Sequence, residues 1–416
     1  MNYPDSVRFL YSLGNEIKTA KLGLERMQRL TQALGDPESS FHSVHIAGTN
    51  GKGSTSAMIE AALRTAGVRT GLYTSPHLIQ PTERIRIAGE TVTDKQFAEA
   101  FAQVHAAAET LLETGEIDLH PTYFETVTAM AFLLFRDLKV HTAVIEVGLG
   151  GRLDATNIIT PDVTVIVPVD FDHEQYLGNT IESIAREKAG ILKPRIPAVF
   201  AKQRAEAEWV LESRAEQLEI NYRRVADARI DDVEIDARSS SFTLNGDRIV
   251  CPLAGEHQID NAVTAAMTLW ELNIPVEGIA NTVWPGRLER IRETPEIILD
   301  GAHNPAGARA LAAYIARFYA GRRIWLVYGT MRDKAIEEVS STLFPYAAEI
   351  IATAPHYARS LNPESLRQLY SGDNMRTAPD LEAAMAIVNA EAKPTDVVFI
   401  TGSLFLVGEA RAMLLK

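Results

Sequence analysis

The sequence predicts an α/β protein of two domains, each built on a mainly parallel sheet. Three observations point there. Apolar runs rich in β-branched residues alternate with runs at helical spacing along most of the 416 residues, a pattern that builds parallel sheets through right-handed crossovers. A glycine-rich loop at 48–53 stands between the first strand-like run and the helix-like run after it. A Pro-Gly breaker, Pro285-Gly286, precedes a second alternating series.

The elements follow in order. Ser43 to Ala47 reads as a short buried strand. Ser54 to Thr65 reads as a helix, with Met58, Ala61, Ala62 and Thr65 at helical spacing. Arg69 to Thr74 reads as the next strand, and a helix is expected from about Phe124 to Asp137. Thr142 to Val147 and Val163 to Val169 are continuous β-branched runs, as in strands covered on both faces. Residues 229–250 break the pattern and read as an antiparallel hairpin excursion. A helix from about Gln258 to Leu272 follows. The second series has strands at Glu296–Asp300, Arg323–Tyr328, Glu349–Ala352 and Val397–Thr401. The boundary falls near 286–292, giving a phosphate-loop domain over 1–288 and a smaller Rossmann-like domain over 289–416.

Composition narrows the function. The chain is 46% hydrophobic and 23% charged, ordinary for a soluble globular protein. A net charge of −13 argues against a nucleic-acid partner, which needs a basic face. One cysteine, Cys251, allows no intrachain disulfide, which fits a reducing compartment. No apolar run approaches the roughly 18 residues needed to span a bilayer, and the first residues carry no basic start or apolar run. The expectation is a cytoplasmic monomer with no membrane partner.

The strongest local signal is Gly48-Thr49-Asn50-Gly51-Lys52-Gly53-Ser54-Thr55, following a strand and opening a helix. Glycines let backbone amides turn inward around phosphate oxygens. The helix N-terminus adds partial positive charge. Lys52 would bridge the β- and γ-phosphates, and Ser54 would cap the helix or help hold magnesium. The loop is shorter than the usual phosphate loop, and a glycine separates the lysine from the hydroxyl residue. The structural alternative is a glycine turn capped by Ser54.

These residues resemble the dihydrofolate synthase / folylpolyglutamate synthase family, the folate branch of the Mur ligase superfamily. The shortened loop is that family's form of the phosphate motif. Further segments match in order: Tyr73-Thr74-Ser75-Pro76-His77-Leu78, Glu146 to Asn157, Asp172 to Gly178, Arg186 to Ile191, Asp300 to Pro305, and Thr401-Gly402-Ser403. The loop begins at residue 48, which leaves no room for the extra nucleotide-binding domain of cell-wall ligases and favours the folate branch.

The resemblance implies a fold, a reaction and a set of residues. The fold is a phosphate-loop domain of the Mur ligase central type with a smaller Rossmann-like C-terminal domain. The reaction is ATP-dependent ligation of L-glutamate to dihydropteroate, to reduced folates, or to both, through an acyl phosphate. ATP is held by Gly48, Thr49, Asn50, Gly51, Lys52, Gly53 and Ser54, with Asn261, Arg287 and Asp300. Magnesium, with a second ion possible in the family's pattern, is held by Ser75, Glu146 and His173, while Asp172 orients His173 or binds the second ion. Histidine is an unusual magnesium ligand on chemistry alone. Arg84, Thr122, Tyr123, Phe124 and Asp154 line the substrate, the aromatics offering flat faces to a pterin. Core packing is the alternative for those rings.

Catalysis is expected from Lys52, Lys188, His303 and Asp300. Lys188 matches the family's modified lysine and is expected to carry a carbamate. Its alternative is a helix-surface lysine paired with Glu187. Arg332, Asp333, His356 and Ser403 are weaker candidates. The rival functions are a Mur-type ligase for another carboxylate and a phosphate-loop switch that forms no amide.

Overall fold

The computed structural model describes residues 2–13, 23–332, 335–370 and 372–415. Its strands, in chain order, are β1 His42–Ala47, β2 Thr70–Tyr73, β3 Ile85–Ile87, β4 Glu90–Thr91, β5 Thr142–Glu146, β6 Val163–Ile166, β7 Ala198–Phe200, β8 Tyr222–Arg224, β9 Ile230–Ile235, β10 Ser240–Leu244, β11 Asp247–Cys251, β12 Glu289–Glu293, β13 Glu296–Leu299, β14 Ile324–Tyr328, β15 Glu349–Ala352, β16 Met375–Thr377 and β17 Val397–Thr401.

Among the described residues, eight strands form the first sheet, in the order β4-β3-β2-β5-β1-β6-β7-β8. From β2 to β8 the pairing is parallel; β3 and β4 add an antiparallel edge. The central strands are buried along nearly their whole length, because helices cover both faces. On one face the Tyr123–Asp137 helix sinks Val127, Met130, Phe132 and Phe135 into the core. On the other, the Ile181–Ala189 and Ala205–Gln217 helices bring Ile184, Ala185, Val210 and Leu211 against Ile166 and Phe200. β6 ends at Ile166, not Val169, because Pro168 cannot donate to a ladder.

β9, β10 and β11 form a three-stranded sheet in the order β11-β10-β9, where a hairpin was expected. The last sheet has the order β12-β13-β17-β14-β15-β16, parallel except for the β12–β13 pair. Its core packs Tyr314, Tyr319, Leu326, Tyr328, Phe344 and Phe399.

The chain forms two compact units. One comprises Met1–Asp231, Thr243–Ile249 and Asp260–Thr282. The other comprises Asp232–Phe242, Val250–Ile259 and Val283–Lys416. Polar contacts bind the early segments of the second unit to its later part. The Tyr314 hydroxyl donates to the Ala237 carbonyl at 2.7 Å, and Arg317 pairs with Glu256 at 3.1 Å. Cys251 is buried and free of disulfide, and burial pushes its thiol up to about 11. Among the described residues no helix is long and apolar enough to cross a membrane.

Candidate active site

The glycine-rich loop begins where β1 ends. Gly48 has φ +143°, and a β-carbon there would lie 2.2 Å from Val167 Cγ2 and 2.6 Å from the Val167 carbonyl oxygen. Gly51 has φ +94°, and its β-carbon would lie 2.4 Å from Asn261 Oδ1. Both positions therefore require glycine, and the Asn261 side chain lies against the loop at Gly51. The chain leaving β6 braces the loop. The amides of Thr49 and Asn50 donate to the Pro168 carbonyl at 2.9 and 3.4 Å. Thr49 Oγ1 donates to the Asp170 carbonyl at 3.0 Å and accepts from the Asp170 amide at 3.1 Å.

Lys52–Thr65 forms the helix after the loop, and its N-cap is Gly51, which brings no capping side chain. Its first turn therefore presents backbone amides and the positive end of the helix dipole to an anion. Ser54 is buried in that turn.

Two lysines converge here. Lys52 Nζ donates to the carbonyls of Gly48 and Thr49, each at 3.1 Å. Lys188 reaches in from the Ile181–Ala189 helix and donates to the same Gly48 carbonyl at 2.8 Å. Burial holds Lys188 down to about 7; the charge of Lys52 pushes the same way, while Asp172 and Asp154 oppose it. The surface alternative for Lys188 does not hold. Lys188 is 4% exposed, and Glu187 accepts instead from Arg152 Nε and Nη2 at 3.2 and 2.9 Å.

Acidic groups stand at the end of β5 and in the segment that follows β6. Glu146, the last residue of β5, is buried, and the Ser75 amide donates to its Oε2 at 3.2 Å. A buried carboxylate beside a serine offers the oxygen donors that a hard divalent cation takes. His173 holds the left-handed N-cap position of the Glu174–Leu177 helix, at φ 53°, a conformation uncommon for any residue but glycine. Its amide donates to Asp172 Oδ1 at 2.9 Å, and its Nε2 lies 3.9 Å from Asp172 Oδ2.

Asp154 organises the loop after β5. Its Oδ2 accepts from the amides of Gly148 and Leu149 at 3.1 and 2.9 Å. Its Oδ1 accepts from the Thr156 amide and hydroxyl at 3.0 and 2.5 Å. Burial raises its pKa, and those bonds pull it back. Both oxygens are thus engaged within the chain.

Of the residues expected to line the substrate, Arg84 and Tyr123 are brought together and Thr122 caps the helix that carries Tyr123. Thr122 accepts from the Glu125 amide at 3.2 Å while Glu125 Oε2 accepts from the Thr122 amide at 2.8 Å, a reciprocal cap on the Tyr123–Asp137 helix. Arg26 clamps Glu125 through Nε and Nη2, each at 2.9 Å. The Tyr123 ring stacks on Tyr11, with centroids 5.7 Å apart and planes 11° apart. The Arg84 guanidinium lies 5.2 Å from the Tyr123 centroid. Phe124 turns inward and joins the core beside Tyr73, as its packing alternative anticipated.

Sequence reasoning gave no role to Tyr11 or His77. Arg84 Nε donates to His77 Nδ1 at 3.0 Å, and Tyr11 Oη lies 3.3 Å from His77 Nε2. Burial and then Arg84 hold His77 down to about 3, so its ring is neutral. The neutral ring therefore carries its hydrogen on Nε2. Tyr11 sits on a helix 66 residues upstream of His77 and far from Tyr123 in sequence, with no local signal to link them.

The second unit carries its own polar loop. Asp300 follows β13 and accepts from the amides of Leu288 and Ala302, each at 3.0 Å. Burial raises its pKa, while Arg287 and His257 oppose that shift. Arg287 Nη1 donates to the Gly286 carbonyl at 3.1 Å. His303 Nδ1 lies 2.7 Å from the Gly301 carbonyl, which places the neutral ring's hydrogen on Nδ1. Asn304 caps the Pro305–Phe318 helix. Of the weaker candidates, Arg332 Nε donates to the Ser360 carbonyl at 3.1 Å, His356 meets Glu409 through its amide at 2.6 Å, and Ser403 caps the Leu404–Leu414 helix. Asp333 lies outside the described residues.

Known proteins are similar to this chain in sequence and fold. Residues 46–269 match the Mur ligase middle domain, and residues 286–404 match the Mur ligase glutamate ligase domain. A dihydrofolate synthase/folylpolyglutamate synthase of Bacillus subtilis is 36% identical, over 95% of each chain. The structure of Mycobacterium tuberculosis folylpolyglutamate synthase complexed with ADP and AMPPCP superposes with a TM-score of 0.91 at 33% identity, covering 100% of this chain and 99% of that one. The structure of E. coli FolC in complex with DHPP and ADP superposes with a TM-score of 0.89 at 30% identity, covering 100% and 98%.

Proposed function

This chain belongs to the dihydrofolate synthase/folylpolyglutamate synthase family of Mur ligases, and from that premise we propose an ATP-dependent ligase joining L-glutamate to dihydropteroate and to reduced folates. The observation that carries the reading is the meeting of Lys52 and Lys188 on the Gly48 carbonyl, at the start of a helix without a capping side chain. Lys52, the loop amides and the open helix N-terminus gather positive charge where a γ-phosphate would be transferred, with Lys188 buried beside them.

In the reaction, the γ-phosphoryl group of ATP passes to the substrate carboxylate, giving an acyl phosphate and ADP. The amine of glutamate attacks the activated carbonyl carbon, the amide bond forms, phosphate leaves and the amine loses a proton. The chain's task is positioning and charge neutralisation. Gly48 to Ser54 cradle the phosphates, with Lys52 on the transferred group. Asn261, Arg287 and Asp300 take the nucleotide, and His303 serves the ligation step. Arg84, Tyr123 and Thr122 receive the pterin end of the substrate, on a wall backed by Phe124 and held in shape by Asp154.

Glu146, Ser75 and His173 would hold magnesium, which when bound neutralises phosphate charge. Lys188 reacts with carbon dioxide: its neutral amine forms an N–C bond, loses one proton and becomes a carbamate anion. Burial favours the neutral amine that this step requires. The single, buried Cys251 suits the reducing interior of a cell.

One assay tests the activity. Purified protein receives ATP, magnesium and glutamate with dihydropteroate or tetrahydrofolate in turn, and phosphate release is compared with the amide product found by mass spectrometry. Amide formed with both substrates is expected. Turnover with neither, in protein that binds ATP, would overturn the folate assignment.

A further inference from the structure

Away from the phosphate loop, the Asp94–Glu113 helix presents His105 and Glu109 one turn apart, and the chain returns to set His120 beside them. His105 Nδ1 and His120 Nε2 each lie 3.7 Å from the same oxygen, Glu109 Oε1. The three ligand atoms all lie within 4.8 Å of one another. Both ring nitrogens are shut off from solvent, and neither has a hydrogen-bond partner. A buried polar atom in that state costs free energy unless something else meets it.

The rings are also oriented. His120 Nδ1 lies 2.8 Å from the Pro121 carbonyl, which puts the hydrogen of the neutral ring on Nδ1 and leaves the lone pair of Nε2 facing Glu109. A backbone carbonyl behind an imidazole is the usual support of a metal-ligating histidine. Phe9 packs 4.6 Å from the His105 ring and 5.6 Å from the His120 ring, and Phe101 lies parallel to His105 at 5.5 Å. These aromatic walls limit how far either ring can turn.

We propose that His105, Glu109 and His120 form a zinc-type divalent metal site. Two imidazoles and one carboxylate make a three-ligand zinc centre with the fourth position left to water. Ligand atoms around tetrahedral zinc stand about 3.4 Å apart, so each 3.7 Å separation closes by only about 0.3 Å on binding. Glu109 is half exposed, which leaves the ion a way in. Imidazole donors favour zinc over magnesium, so a site with two imidazoles differs in chemistry from Glu146, Ser75 and His173, which offer one. The ion would tie the Asp94–Glu113 helix to the residue just before Pro121 and Thr122, and so would steady the start of the helix that carries Tyr123.

The test uses the untagged full chain, stripped with a chelator and titrated with zinc in excess magnesium by calorimetry. Glu109→Gln and His120→Gln are titrated in parallel, with circular dichroism as the check on folding. Wild type should bind one zinc more than either variant, with micromolar or tighter affinity. Zinc should raise its melting temperature, and cobalt should give it the visible spectrum of a tetrahedral site. Equal zinc stoichiometry and equal thermal response in wild type and Glu109→Gln would overturn the proposal. Glu109 is half exposed, so that variant keeps the test intact even if His120→Gln fails to fold.

Discussion

Lys52 and Lys188, on two different helices, place their side-chain nitrogens 3.1 and 2.8 Å from one oxygen, the carbonyl of Gly48. Lys52 is the member carried by the loop's own helix. Lys52→Ala should cut ligation at least about a hundredfold with every folate substrate, because a charge contact made in the transition state is worth about 3 kcal/mol. Steady-state turnover measures it. Normal turnover in a folded variant would remove the phosphate-loop assignment.

Lys188 is the member expected to be modified. Protein incubated with carbon-13 bicarbonate should show a carbamate resonance by NMR, absent from Lys188→Ala, and that variant should be inactive. An active variant with no carbamate signal in the parent refutes the modification.

The burial of Lys188 also has a signature in stability. In bicarbonate-free buffer the folded chain holds this amine near 7, against about 10.4 in the unfolded chain. Between those values the unfolded state binds more protons, so stability rises with pH there, and the cost of burying the ammonium is fully present below about 7. Lys188→Met removes that cost. Its stability advantage in urea melts should be largest at pH 6 and smaller by roughly 2 kcal/mol at pH 9. An advantage that does not change with pH would show that Lys188 is not held neutral.

Tyr123 stacks on Tyr11, lies near the Arg84 guanidinium and packs half-buried against the edge of the core. Tyr123→Ala should raise KM for the pterin substrate about tenfold, the effect of losing one stacked ring, with KM for ATP unchanged. Equal shifts for both substrates would mean that the ring supports the fold and not the pterin.

His303 turns its Nδ1 toward the Gly301 carbonyl. His303→Ala should leave ATP affinity by calorimetry unchanged while amide formation falls. Unchanged turnover would take His303 out of the reaction.

What could be read from the sequence followed the range of the interactions involved. The loop at Gly48 was legible because strand, glycines, lysine and helix lie within a dozen residues. The buried strands β14 and β17 were legible because burial on both faces leaves a long apolar run, and β1 and β5 because their short apolar cores stand before glycine-rich loops. β12 was not read, because Glu289-Arg290-Ile291-Arg292-Glu293 is charged and only partly buried along an edge. β16 is three residues long and also lies at an edge. The partnership of Tyr11, His77, Arg84 and Tyr123 depends on contacts between distant segments, so no local pattern announces it. The same holds for His120 beside Glu109.

β1 lies between β5 and β6, with Ile46 level with Glu146 and Ala47 level with Ile166. The heights of the glycine loop, the buried carboxylate and the Pro168 turn are therefore set by one ladder. Inserting a single residue into any of these strands would move one group about 3.3 Å past the others and turn its neighbours to the opposite face. Length changes should be tolerated instead where the chain makes few commitments, such as the exposed turn at Asn245-Gly246. A library of single-residue insertions, sorted by growth of cells that depend on this gene, would draw the same map as a dark band across three short strands.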